Sequence, residues 1–282
     1  MKNTINLQIL KNKLNHNAAK LSSLEPILSE LANRVISRLD FIKINPSIIL
    51  DCGSGLGIDY KLLSSKYTDA KIIELDIALA ILKLQQQPRG FLRKLWGHKK
   101  ADPAWLCADA LALPIDNKVV DFVYANLLLP YLTDIQIFIK EVRRVLKVGS
   151  SFCFAGLGVD SFKELRSLGL TVPTFPDMHD VGDMLIAAGF SNPVVDTEYI
   201  TLEYENLSTL ISDLKLIGAG PAFSAFRPAY HGKDFVLNLK QNYQQPIKLT
   251  LEMFVAHGWK EQDNIDLPAG LSPITFNTKN NK

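Results

Sequence analysis

The run IILDCGSGLGID, residues 48–59, sets three glycines at alternate positions behind an apolar stretch and one acid. Glycine enters left-handed backbone without the clash that a Cβ brings, and it leaves bare backbone that a ligand can approach closely. A strand, a glycine turn and a helix in succession form the opening unit of an open α/β sheet, in which ligands bind at the carboxyl edge of the strands. The ligand expected there is nucleotide-like. The spacing excludes two versions of it. The dinucleotide fingerprint G-x-G-x-x-G needs two residues between its last glycines, whereas Gly53, Gly55 and Gly57 alternate strictly, and no G-K-[ST] follows to build a triphosphate loop.

The rest of the chain alternates in the same rhythm. Apolar periodicity predicts helices over 26–41, 58–67, 77–87 and 135–150, the last ended by Gly149. Strands are predicted at 48–50 and 70–77, within 104–114 and 116–132, and at 151–158. Beyond them the pattern predicts a helix over 178–190 ended by Gly189, a long strand at 193–204, a helix over 205–220 and a last strand at 247–259. The expected fold is α/β, a mostly parallel seven-stranded sheet with helices on both faces. A helical segment at 1–45 precedes the main domain at 46–262, insertions near 159–176 and 218–246 roof the ligand edge as lids, and 263–282 is a flexible tail.

Composition narrows the partners. Lys plus Arg total 31 against 29 acids, a net charge of +2, so no global polycation points to nucleic acid. No run of 18 apolar residues and no apolar signal core occur, which predicts a cytoplasmic protein without a membrane span. Cys52, Cys107 and Cys153 lie far apart in apolar sequence and read as core thiols, and neither they nor the five histidines carry metal-ligand spacing.

The pattern D-x-G-x-G-x-G resembles the first motif of class I S-adenosylmethionine-dependent methyltransferases. That resemblance implies S-adenosylmethionine as cofactor and S-adenosylhomocysteine as product, with Asp51, Gly53, Ser54, Gly55 and Gly57 at the turn. Asp76, followed by Ile77, ends the second strand about 20 residues on, where a carboxylate can accept both hydroxyls of a ribose. Glu74 shares its face but lies deeper, so Asp76 is favoured. Asp109 follows the third strand and can accept from the adenine amine while Ala108 or Ala110 offers backbone. Singly, each acid reads equally well as a cap or turn residue; three in the right order favour the cofactor.

A narrower family is carried by FKELRSLG at 162–169, FPDMHDVGDMLIAAGF at 175–190, PVVDTEYITLEYENL at 193–207, LISDLKLIGA at 210–219 and HGW at 257–259. These stretches resemble the malonyl-acyl-carrier-protein O-methyltransferases of biotin synthesis, and the likeness covers residues 46–259. It implies methylation of the free malonyl carboxylate, which is ionised at neutral pH and needs no general base. Candidates for lining that reaction are Asn126 and Leu127, Tyr131, His179 with Asp177, and Arg227. His179 and Asp177 read equally as a helix cap, and Arg227 as a solvated surface residue.

One segment departs from the family. Where members carry F-x-R-A-A-x-x-Y-D, residues 15–23 read NHNAAKLSS, with Asn15, Asn17, Ser22 and Ser23 at the altered positions. Two other readings therefore stand beside the methyltransferase, a related arginine hydroxylase of complex assembly and a cofactor-binding scaffold without catalysis. The basic stretch at 88–103 holds Arg89, Arg93, Lys94, Lys99 and Lys100 among Phe91, Leu92, Leu95 and Trp96. It reads either as a solvated connection or as a dock for an acidic acyl carrier protein.

Overall fold

The computed structural model describes residues 7–86, 103–167, 174–217 and 246–263. Its strands are β1 Ile48–Cys52, β2 Lys71–Asp76, β3 Ala104–Cys107, β4 Val120–Asn126, β5 Leu146–Leu157, β6 Ser191–Tyr204 and β7 Ile247–Lys260. They form one sheet in the order β3-β2-β1-β4-β5-β7-β6. The strands β1 to β5 pair in parallel, and β7 runs antiparallel between β5 and β6. Because β2 leaves β1 on one side and β4 pairs on the other, the order reverses at β1, and a crevice opens at its carboxyl end.

Strand alternation divides the core. Ile49, Phe122, Tyr124, Cys153, Met253 and Val255 face one side, where Leu31, Val35 and Leu63 pack on them. Leu50, Val123, Phe152, Phe154, Phe254 and Ala256 face the other, under Phe138, Val142 and Leu185. Successive side chains point to opposite faces of a strand, so a sheet covered on both sides needs unbroken apolar runs, which is why its strands are legible as such.

The helices are α1 Leu7–Asn17, α2 Glu25–Arg38, α3 Ile58–Lys66, α4 Leu79–Gln86, α5 Ile135–Val145, α6 Lys163–Ser167, α7 Met178–Ala187 and α8 Leu207–Ile217, with a 3₁₀ turn at Ala18–Leu24 joining α1 to α2. Two expectations are corrected. The helix expected to run to Gly149 ends at Val145, because Leu146 already pairs with Val120 and the next register has Ser151 opposite Phe122. Gly149, at φ +83° with open space around it, belongs to that exposed bulge and does not cap a helix. Gly189 does end α7: its N–H donates to Ile186 O at 2.9 Å and Phe190 N–H to Leu185 O at 3.0 Å. Cys52 and Cys153 are core thiols, but Cys107 is exposed, since β3 is an edge strand.

Candidate functional site

The turn after β1 is built from backbone. Gly53 and Ser54 N–H both donate to Leu75 O, at 2.7 and 3.0 Å, and Gly57 N–H closes on Ser54 O at 2.9 Å. Gly53, Gly55 and Gly57 take φ values of +77°, +52° and +66°, which side chains resist. A Cβ on Gly53 would sit 2.9 Å from Leu128 Cδ1, whereas one on Gly55 meets nothing nearer than Gly53 O at 3.8 Å. Gly53 is required by packing. Gly55 is required by its backbone angle and by the open space in front of it.

That space is a cavity of about 210 Å³ whose walls include Gly53, Gly55, Asp76, Ile77, Asp109, Ala110, Asn126 and Tyr131. These eight expected residues, together with Ala108 and Leu127, thus converge at one sheet edge. Asp51, Ser54 and Gly57 do not wall the cavity; they lie in and behind the turn, with Ser54 buried and Gly57 starting α3. His179 is exposed, and its backbone N–H donates to Asp177 Oδ1 at 2.8 Å, so this pair caps α7 away from the described cavity walls. Arg227 and the basic residues at 89–100 lie outside the described residues.

Asp76 closes β2 with both oxygens engaged, Oδ2 accepting from Gly55 N–H at 3.1 Å and Oδ1 from Ala78 N–H at 2.8 Å. Burial pushes it up to about 6 while those backbone donors pull it down. Glu74 sits deeper, opposite Asp51 in the sheet register, and does not wall the cavity. Asp109 Oδ1 accepts from Leu111 N–H at 2.9 Å, so this acid holds its own loop while also facing the cavity.

Asn126 is oriented from behind. Its Nδ2 donates to Asp59 Oδ1 at 3.2 Å, and Tyr124 OH donates to the same oxygen at 2.6 Å. The Asn126 Oδ1 is left buried without a partner, as is Asp51 Oδ2. Burial, and then the nearby Asp59, Glu74 and Asp76, hold Asp51 well above the usual carboxylate range. Tyr131 is pushed up to about 12, by burial first and Asp76 second, so its phenol keeps its proton at neutral pH. Sequence reasoning gave no role to Asp59 or to Gln85, whose amide reaches the turn from α4; nothing in local periodicity marks either.

The rest of the chamber is aliphatic. Leu10 and Leu14 of α1, Leu21 and Leu24 of the 3₁₀ turn and Leu28 of α2 line it opposite Leu202, Tyr204 and Leu251. The divergent segment is therefore a wall of the site. Asn15 Oδ1 accepts from Ala80 N–H at 2.8 Å and so caps the start of α4, while Ser22 and Ser23 are exposed and donate to carbonyls of their own turn.

A glycine turn in left-handed conformation with open space in front of Gly55, a buried carboxylate at the end of β2 and the unpartnered Asn126 Oδ1 on the cavity wall fit a nucleoside with a cationic amino-acid tail. Set at the switch point of a doubly wound sheet, this arrangement defines a class I S-adenosylmethionine-dependent methyltransferase. Residues 50–154 match the methyltransferase-domain family. Solved structures share the fold: the YcgJ protein from Bacillus subtilis has a TM-score of 0.58 at 16% identity, covering 83% of this chain and 99% of that one. A Haemonchus contortus phosphoethanolamine N-methyltransferase 2 in complex with S-adenosyl-L-methionine gives 0.58 at 14% identity, covering 93% of this chain and 61% of that one. Sequence similarity is narrower. The malonyl-[acyl-carrier protein] O-methyltransferase of Methylovorus sp. (strain MP688) is 35% identical over 258 residues, 88% of this chain and 86% of the relative. That of Gallionella capsiferriformans (strain ES-2) is 36% identical over 84% of this chain and 85% of its own. The chain belongs to the malonyl-[acyl-carrier protein] O-methyltransferase family.

Proposed function

We propose that this chain methylates the free carboxylate of a malonyl group held as a thioester on acyl carrier protein, an early step of biotin synthesis carried out in the cytoplasm. The observation that carries this reading is the reach of the similarity. The methyltransferase-domain match stops at residue 154, whereas the Methylovorus relative aligns over 258 residues. The likeness thus takes in β6 and α8, which supply Leu202, Tyr204 and Leu214 to the cavity. In this reading residues 46–262 are the methyltransferase domain, 1–45 a helical wall in front of it, 159–176 and 218–246 insertions over the acceptor side, and 263–282 a tail.

S-adenosylmethionine supplies a methyl group on a sulfonium. The protein's part is to hold that group against the acceptor. We assign the backbone at Gly53 and Gly55, braced by Ser54, Gly57 and the buried Asp51 behind them, to the methionine end, and the unpartnered Asn126 oxygen to its ammonium. Asp76 with Ile77 takes the ribose, and Asp109 with Ala110 the adenine. A malonyl carboxylate is ionised at neutral pH, so no side chain has to remove a proton. Alignment and exclusion of water by the leucine wall and Tyr131 then carry the reaction. Arg227 is our candidate for pairing with the acceptor carboxylate. Arg89, Arg93, Lys94, Lys99 and Lys100 are our candidates for docking the carrier.

The test is transfer of labelled methyl from S-adenosylmethionine to malonyl carrier protein, read as one added methyl group on the intact carrier and its removal by mild base. Cofactor binding with no transfer to malonyl carrier protein would overturn the proposal and favour the scaffold reading; transfer to a protein arginine or hydroxylation there would favour the other.

A further inference from the structure

We propose that Gln85 and Trp105 act as a positioning pair that imposes the cofactor-binding shape on the glycine turn. The inference rests on reading that turn as the S-adenosylmethionine site. Gln85 stands in the last turn of α4 and is 6% exposed. Its Nε2 donates to Gly55 O at 2.6 Å and to Ser54 Oγ at 3.1 Å, and its Oε1 accepts from the Trp105 indole N–H at 2.9 Å.

The indole nitrogen can only donate, so Trp105 decides which way the amide faces. With the oxygen held toward β3, both amide hydrogens point at the turn. A half-turn of the amide would set Oε1 against Gly55 O, two acceptors face to face. The Gly55 peptide is thereby gripped from both sides, its N–H by Asp76 Oδ2 at 3.1 Å and its carbonyl by Gln85. This matters at a glycine, because the residue whose backbone is freest is the one whose conformation must be imposed by its neighbours. It matters for Asp76 too, since one carboxylate oxygen is shared between the turn and the ligand side. Neither Gln85 nor Trp105 walls the cavity, so both act through the turn.

The variants Gln85→Met, which keeps length and loses all three hydrogen bonds, and Trp105→Phe, which loses only the indole donor, test this in the full-length protein. Calorimetry with S-adenosylhomocysteine should show Kd weakened about tenfold by Gln85→Met and less by Trp105→Phe, with the double variant no worse than Gln85→Met alone because one relay is broken once. The KM for S-adenosylmethionine should rise in parallel, while the KM for malonyl carrier protein stays within twofold, a split that a general loss of packing would not produce. Gly55→Ala serves as the site control. If Gly55→Ala weakens binding and both relay variants bind like the parent, the positioning role is wrong and the site stands; if all three bind like the parent, or the parent does not bind, the site is misplaced and the relay falls with it. Equal losses in both KM values also overturn the proposal. Should Gln85→Met fail to fold, the milder Trp105→Phe decides by the same criteria.

Discussion

At Asp76 the carboxylate accepts from two backbone N–H groups, and burial still pushes it up to about 6 from an ordinary 3.8. Between those values the ligand-free fold keeps a proton that the unfolded chain releases, so this group lowers stability as pH rises from 3.8 to about 6 and adds no further slope above that. Ribose recognition runs the other way, because only the ionised form accepts from both hydroxyls. Affinity for S-adenosylhomocysteine should therefore fall by roughly tenfold per pH unit below the Asp76 value and level off above it. Calorimetry from mildly acidic to mildly alkaline pH checks this, and Asp76→Asn should flatten the profile. A parent profile already flat would remove Asp76 from the ribose. The glycines make a second comparison. Gly55→Ala adds a methyl group with no protein atom nearer than 3.8 Å, so its destabilisation is the left-handed strain alone, about 1–2 kcal/mol. Gly53→Ala also drives Cβ to 2.9 Å from Leu128 Cδ1 and should melt at a lower temperature, while both lose S-adenosylhomocysteine binding. Thermal melts in the reverse order would contradict the packing assigned to Leu128. These residues were legible because left-handed backbone and strand alternation are local properties. Asp59 and Gln85 were not, because Asp59 acts on Asn126, 67 positions away, and Gln85 on Gly55, 30 positions away.

The strands were legible as elements for a related reason, since a sheet covered on both faces admits few polar positions and its members read as apolar runs. The boundary between α5 and β5 was not. Gly149 follows basic residues as a helix cap would, yet the pairing of Leu146 with Val120 ends the helix earlier and leaves the glycine in a bulge. Tertiary pairing overrode a local end signal. The N-terminal segment shows the same limit from the other direction. Measured against the family pattern it has lost polar and aromatic residues, but α1 and the 3₁₀ turn still wall the cavity with Leu10, Leu14, Leu21 and Leu24. Ser22 faces solvent, so a tyrosine restored there starts from the wrong side of the turn. What ties the segment down is Asn15, whose side chain caps α4 from a different helix. Asn15→Ala should cost about 1 kcal/mol, a drop of roughly 2–4 °C in the melting midpoint. It should also speed amide hydrogen exchange at Ala80, whose N–H loses its acceptor. Unchanged exchange at Ala80 would show that the cap is not made in solution.

At the scale of the whole molecule, a net charge of +2 is too small to attract an acidic carrier from a distance, so any steering must come from an uneven distribution of charge. The strongest asymmetry is the stretch 88–103, with Arg89, Arg93, Lys94, Lys99 and Lys100 and no acid before Asp102. Its flanks are drawn together in the fold, because Gln85 just before it is bonded to Trp105 just after it, and that same Gln85 holds the glycine turn. We keep this stretch as the proposed dock for the carrier on its charge alone, since an acidic partner is drawn to a concentrated basic run. Reversing Arg93, Lys94 and Lys99 to Glu replaces three attractions by three repulsions. The KM for malonyl carrier protein should rise by about tenfold or more at low ionic strength, since charges at the rim of an interface act mainly on encounter. A malonyl thioester of a small thiol, which carries no acidic protein, should be methylated by parent and variant at similar rates. Raising the salt until the Debye length falls to about 3 Å, near 1 M, should bring the two proteins together on the carrier substrate. Equal losses on both substrates would mean that the stretch supports the fold or the glycine turn through Gln85. No loss on either would move the dock elsewhere, with Lys163 and Arg166 of α6 as the next residues to reverse.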